Sequence, residues 1–407
     1  MNFTLTDEQL MLVDRVKTWF KNYESGLHLG EHPQWFCYSG KAGCGKTTVA
    51  YAIIEELHLE NSYVASAFVG KAVMRLQQSG LVARTIHSLI YNVLFIDEPY
   101  EKDGVIKMRK KMIFQLKEKL DDNIRLIIID EGTMVNDAMM KEILSFGKPI
   151  LIMGDHNQLP PVYGKSSMMD NPDFILTKIM RQKENDPIVI LANMILQGIP
   201  LIEGNYGKSK VTRYYELDSK FLTDYDQAIC ATNRKRDLIN NFVRENLLGY
   251  DSKAPQIGDR IVCRQNDWDL ALQGFNLTNG MSGIITDIDR SYLAKGYYSI
   301  DFKPDLFNDA YFEKYDPDEL TFHSLEMDYE YIQSDYEQRK DFGLCQHQKF
   351  EYAYAITCYT AQGSEWDRGL YLHSFFVNSN LTKATAYTAV TRFKKSVHIV
   401  LGNYRGG

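Results

Sequence analysis

This sequence predicts an α/β fold with two parallel-sheet units. Three observations carry that expectation. Strand-like apolar runs alternate with helical spacing through the first 185 residues, the alternation returns from Gln227 onward, and residues 258–344 break the second unit with β-rich signals. A chain of 407 residues, 44% apolar and 24% charged, has enough material for two or more packed units. No repeat at solenoid spacing is present, and the apolar runs are far short of a bilayer span. The N-terminus lacks a signal-peptide pattern, and the six cysteines form no CxxC pair. These features predict a cytoplasmic protein with reduced thiols, no membrane partner and no zinc site.

The elements follow in order. Trp35–Ser39 is a strand that leads into a glycine-rich turn, and Thr47–Leu57 has helical apolar spacing. Tyr63–Phe68 reads as a second strand, Lys71–Gln78 as a helix, Leu126–Ile129 as a third strand and Ile150–Met153 as a fourth. Strands separated by helices pair in parallel through crossovers, which makes this part doubly wound. Between the second and third strands, Asn92–Tyr100 and Val105–Phe114 flank Lys102-Asp103-Gly104, and Asp-Gly signals a tight hairpin turn. Residues 100–119 carry seven Lys/Arg against three acids, which suits either a solvated hairpin or one that faces nucleic acid. The second unit comprises Gln227–Thr232, the helical Lys235–Leu247, Tyr352–Thr357 and Gly369–His373. Its insertion includes an Asn279-Gly280 turn and an irregular, Tyr-rich outer part, about 303–341. Residues 305–341 hold twelve Asp/Glu against three Lys/Arg, a net of −9. The whole chain has a net charge of −7, so the rest carries +2 and its acidity does not exclude a basic groove.

Gly40-Lys41-Ala42-Gly43-Cys44-Gly45-Lys46-Thr47 fits the GxxxxGK[ST] loop between a strand and a helix. Its glycines let backbone N–H groups wrap a phosphate chain at a helix N-terminus. Lys46 is the candidate for the β/γ-phosphates and Thr47 for Mg²⁺, so ATP and Mg²⁺ are the expected cofactors. Gly43, Cys44, Gly45 and Thr48 complete the phosphate cradle. Asp130-Glu131 closes an apolar strand, at the edge where open α/β sheets bind ligands. Asp130 suits the metal, and Glu131 suits orienting or deprotonating a water. Gln158, after the strand Ile150–Met153, is the candidate γ-phosphate sensor. Gln9 sits in Thr6-Asp7-Glu8-Gln9, which also fits a helix capping box.

The motif order GKAGCGKTT, IIIDEGTM, MGDHNQLPP, MRQ, TCYTAQGSEW and YTAVTRFKKS resembles superfamily 1 DNA helicases, most closely the RecD-like and phage Dda-like 5′→3′ branch. The match runs from Gln9 to Arg392. It implies two RecA-like P-loop domains, each with an insertion. The first spans 1–91 and 119–185, with a hairpin pin at 92–118. The second spans 186–257 and 345–407, with a small SH3-like, β-rich insertion at 258–344. In that family ATP lies between the RecA-like domains, and single-stranded DNA crosses them. The resemblance assigns Arg181 and Arg392 as arginine fingers, Gln9 as an adenine reader and Glu365 as the residue that couples the DNA and ATP sites. Thr85, His87 and Ser88 resemble the DNA track of the first domain. Two segments depart from the pattern. Ser66-Ala67-Phe68 replaces Pro-Thr-His, leaving Phe68 as either a base-stacking ring or a core ring. In the strand before Gln362, Tyr359-Thr360 replaces His-Lys, which removes a cation from the expected DNA path.

These readings predict an ATP-dependent 5′→3′ DNA helicase that acts as a monomer on single-stranded DNA and duplex forks in a bacterial or phage-infected cytoplasm, beside replication, recombination or repair proteins. An RNA helicase or protein-displacing translocase is the first alternative. A nucleotide-gated DNA-binding subunit of a larger complex is the second. No nuclease carboxylate cluster is present.

Overall fold

The computed structural model describes residues 4–27, 33–102, 105–178, 180, 186–250, 253–308, 312–340, 342, 347–402 and 404–405. The first sheet is wholly parallel. Its spatial order is Ala83–Thr85, Tyr63–Ala67, Leu126–Asp130, Ile150–Gly154, Trp35–Gly40 and Phe174–Leu176. Both faces of this sheet are covered, so its strands read as continuous apolar runs: Ile127, Ile128, Leu151 and Ile152 are completely buried. The helices Asp7–Glu24 and Lys46–Glu56 cover one face, while the helix Asp137–Leu144 joins the core on the other.

The second sheet runs Ala355–Thr357, Gln227–Cys230, Trp366–Leu372, Phe393–Val400, Ser209–Thr212 and Gly204–Tyr206, parallel except for the last pair. The third sheet is antiparallel, in the order Phe322–Asp328, Tyr297–Pro304, Ser282–Asp289, Arg260–Cys263 and Phe350–Tyr352. It therefore extends past residue 344. Two buried ion pairs fasten it to the second unit: Arg244 to Asp259 at 3.0 Å and Arg236 to Glu351 at 2.7 Å. Burial alone would raise the Glu351 carboxyl, but Arg264, Arg236 and Arg339 around it hold it below the usual carboxylate range.

Several expectations are corrected here. Tyr359 and Thr360 are not on a strand. The strand ends at Thr357, whose hydroxyl caps a single helical turn, Cys358–Ala361, by accepting from the Thr360 N–H. The second-unit helix begins two residues early, at Asn233, and from Val243 continues as a π turn to Leu247. The acidic outer part of the insertion is folded where described. Phe307, Phe312 and Leu320 form a small core of their own, and Asp305 pairs with Arg260 at 2.7 Å.

The hairpin is a separate two-stranded ribbon. Tyr91–Lys102 and Val105–Leu116 pair in unbroken antiparallel register from Tyr91↔Leu116 to Lys102↔Val105, a length of about 40 Å. The Asp103-Gly104 turn lies outside the described residues. At its root His87 packs against Phe68, Tyr91 and Phe114, with centroid separations of 5.5, 5.6 and 5.3 Å. The five described cysteines, Cys37, Cys44, Cys230, Cys263 and Cys358, are free and buried. Among the described residues, no helix is long and apolar enough to cross a membrane.

Candidate functional site

A cavity of about 380 Å³ lies where the C-terminal edge of the first sheet meets the second unit. Gly43, Gly45, Lys46, Thr47 and Thr48 line it from the glycine-rich loop, with Asp130, Glu131 and Gln158 from neighbouring strand ends. Glu365 and Arg392 enter from the second unit. Residues spread over most of the chain thus converge on one space.

The loop's shape follows from its glycines. Gly43 and Gly45 have φ of 80° and 82°, the left-handed region that a side chain disfavours. A Cβ on Gly40 would stand 2.3 Å from Cys44 Sγ, so the loop can close over that buried thiol only with glycine there. Lys46 Nζ donates to the carbonyls of Gly40 (2.8 Å) and Lys41 (3.3 Å), which holds the ammonium across the loop.

Asp130 and Glu131 sit side by side in low dielectric. Burial, then the neighbouring Glu131 charge, pushes the Asp130 carboxyl up to about 6, while Lys46 and Arg75 oppose the rise. Asp130 Oδ1 also accepts the Glu131 N–H at 2.8 Å. Glu131 is buried and adopts φ 51° and ψ 46°, which costs about 1–2 kcal/mol for a residue with a Cβ. That turn directs the chain sharply off the strand end. Thr47 and Asp130 supply the oxygen donors that suit Mg²⁺, an ion that takes few protein ligands beside phosphate oxygens.

Gln158 is buried, and its Oε1 has no hydrogen-bond partner among the described residues, an acceptor left open beside the cavity. Its loop is held by the second unit. Tyr387 donates to Asp155 at 2.6 Å, Thr388 Oγ1 accepts the Leu159 N–H at 2.9 Å, and Gln362 Nε2 donates to the Leu159 carbonyl at 3.4 Å. Tyr387 and Thr388 belong to the helix Ser379–Val390, just before Arg392. Arg392 Nε donates back to the Thr388 carbonyl at 3.2 Å, so Thr388 ties both Arg392 and the loop that carries Gln158. Lys41 Nζ reaches Asn193 Oδ1 at 2.7 Å as a further tie across the cleft. Arg181 lies outside the described residues.

Gln9 forms the capping box in full and also reaches the glycine-rich loop. Its Oε1 accepts the Thr6 N–H at 3.0 Å as a capping box, while its Nε2 donates to the Cys44 carbonyl at 3.1 Å. It therefore braces the glycine-rich loop.

The candidate track residues are less exposed than expected. Thr85 is buried and caps the short helix Ile86–Ile90, accepting the Ser88 N–H at 3.2 Å and donating to Ser88 Oγ at 3.1 Å. Burial lowers the pKa of His87, against the pull of Glu142, and keeps the ring neutral at pH 7. Phe68 is half-buried in the hairpin-root cluster. Near Tyr359-Thr360 a guanidinium arrives from the third sheet: Arg264 Nη1 donates to Thr360 Oγ1 at 3.3 Å while its Nε pairs with Glu351 at 3.3 Å. Sequence reasoning missed Arg264, and also Arg75 and Ser79, which line the cavity. Spacing along the Gly70–Gln78 helix places Arg75 and Ser79 on one face, but nothing local points that face at the second unit.

A family model described as an AAA domain matches residues 27–200. An ATP-dependent RecD2 DNA helicase of Deinococcus radiodurans is 30% identical over 171 residues, 39% of this chain and 21% of that protein. An uncharacterized protein of Methanocaldococcus jannaschii is 23% identical over 433 residues, 89% of this chain and 36% of the relative. The chain thus spans well under half the length of these curated relatives. Among solved structures, Pif1 helicases at forked double-stranded DNA align with a TM-score of 0.55 and 20% identity, over 97% of this chain and 92% of theirs. Bacteroides Pif1 bound to single-stranded DNA aligns with a TM-score of 0.55 and 19% identity, over 98% and 92%.

Proposed function

We propose that the chain, whose fold has two RecA-like domains, is a RecD-like and Pif1-like superfamily 1 protein, and that its activity is that of an ATP-driven DNA helicase moving 5′→3′ on single strands. The supporting observation is the cavity itself, which needs both domains to be complete. In this reading 1–91 with 119–185 and 186–257 with 353–407 are the motor domains, 92–118 the pin, and 258–352 the β-rich insertion, whose boundary moves from 344 because Phe350–Tyr352 pairs within its sheet.

The glycine-rich loop and Lys46 bind the phosphate chain, and Thr47 and Asp130 would hold Mg²⁺, which would supply charge neutralisation at the phosphate oxygens. Glu131 takes the proton of a water positioned with Gln158. The water oxygen bonds to the γ-phosphorus as the bond to the β-phosphate oxygen breaks, leaving ADP and phosphate. Arg392, with Arg181, stabilises charge on the transferring group. Closing and opening the cleft moves the domains along the strand.

Polarity is tested with matched duplexes. A 5′ single-stranded tail should support unwinding in ATP and Mg²⁺, while a 3′ tail should not. Preference for the 3′ tail overturns the direction, and stronger stimulation of ATPase by RNA oligomers overturns the track.

A pH dependence follows from Asp130. Its carboxyl is raised, so it is neutral below about pH 6 and ionised above. Mg²⁺ should therefore bind more weakly as pH falls through about 6, and half-maximal ATPase at pH 5.5 should need more Mg²⁺ than at pH 8. An unchanged Mg²⁺ requirement across that range removes Asp130 from the metal site.

A further inference from the structure

We infer that Arg75 is a phosphate-contacting residue for the terminal phosphate of the bound nucleotide, held ready by Glu365 until that phosphate displaces the carboxylate. The inference rests on the nucleotide reading above and extends it to a residue that none of the motifs contains.

Arg75 lies in the last turn of the Gly70–Gln78 helix, on the first domain's side of the cleft. It lines the same cavity as Lys46, Asp130, Glu131 and Arg392. Its Nη2 donates to Glu365 Oε1 across the cleft at 2.9 Å. The Arg75 side chain is 41% exposed and that of Glu365 18%, so the guanidinium borders the open cavity rather than the core. Its charge reaches Asp130, where it opposes the rise caused by burial and Glu131. A guanidinium fork matches phosphate oxygens as well as it matches a carboxylate, and a γ-phosphate carries more charge than Glu365. The carboxylate thus occupies the partner position that a phosphate would take over.

Such an exchange would release Glu365 within a segment packed closely on the same helix. Gly363 has φ 75°, and a Cβ there would meet the Ala72 nitrogen at 3.3 Å. Lys71, one turn before Arg75, places its ammonium 5.7 Å from the Trp366 ring centroid. Arrival of the terminal phosphate would therefore be felt at the start of the strand Trp366–Leu372, inside the second sheet.

The test compares Mg-ATPγS and Mg-ADP affinities by calorimetry for the wild-type chain, Arg75→Gln and Arg75→Lys, with thermal melting of each. Loss of one charge-assisted contact should weaken ATPγS binding to Arg75→Gln by about tenfold or more, with ADP affinity within about twofold of wild type. Arg75→Lys should recover part of the ATPγS loss. Equal weakening of both nucleotides, with a lowered Tm, overturns the inference in favour of a structural role. Unchanged affinities for both leave Arg75 as an ion-pair partner alone and also overturn it. A wild-type chain that binds neither nucleotide instead sinks the nucleotide reading.

Discussion

Glu131→Gln is expected to bind Mg-ATP like the wild type and to hydrolyse it about 10³-fold more slowly, within the roughly 10²–10⁴-fold range for removal of a general base. Gln keeps the side chain's size and can adopt the same backbone, so the left-handed turn at φ 51° should persist. Only the ability to take a proton is lost. Removing a negative charge beside Asp130 should also make that carboxyl easier to ionise, because Glu131 is one of the two causes of its raised pKa. Metal binding should consequently hold or improve while turnover collapses. Lys46→Ala gives the contrasting pattern, weakened nucleotide binding itself, because its ammonium is the cation set across the phosphate loop. Fluorescent-nucleotide titration and phosphate release on both variants separate the two roles. Near-normal turnover by Glu131→Gln removes it from the water-activating position.

Replacing Pro99–Met108 by a short Gly/Ser linker is expected to abolish duplex unwinding while single-strand-stimulated ATPase stays within a few-fold of wild type. The register makes this cut clean: Pro99 faces Met108, so the ribbon below it keeps its pairing down to Tyr91 and Leu116. The aromatic root of His87, Tyr91 and Phe114 is untouched, and every described residue that lines the nucleotide cavity lies outside the excised tip. A ribbon with no role predicts that unwinding and ATPase both persist. Loss of both with a lowered Tm would make the ribbon structural. Unwinding, ATPase and melting measured on one variant distinguish the three outcomes.

Local chemistry was legible in the sequence because local groups decide it. The phosphate loop needs left-handed backbone at Gly43 and Gly45, and both requirements lie within eight consecutive residues. Buried parallel strands need uninterrupted apolar runs, so Leu126–Ile129 and Ile150–Met153 stood out, and each strand proves one residue longer, with polar residues of the cavity at or just past its end. The hairpin was announced by its turn residues and paired strands. The capping hydroxyl of Thr357 was harder to recognise, because Tyr359 and Thr360 follow a strand of only three residues and propensity favours continuing it.

What only the tertiary structure decided is which distant groups meet. Arg75 has the local signature of a solvent-facing helix residue and becomes part of the cleft because the second domain brings Glu365 to within 2.9 Å of it. Arg264 reaches Thr360 because the third sheet folds back onto that turn. The acidic segment 305–341 gains order because Phe307 and Phe312 pack on Phe275 of a separate strand. In each case the stabilising partner lies on another element, so its contribution is long-range burial and ion pairing across an interface. Periodicity, turn chemistry and motif spacing report how a segment satisfies its own backbone; they carry no record of which face another domain will cover.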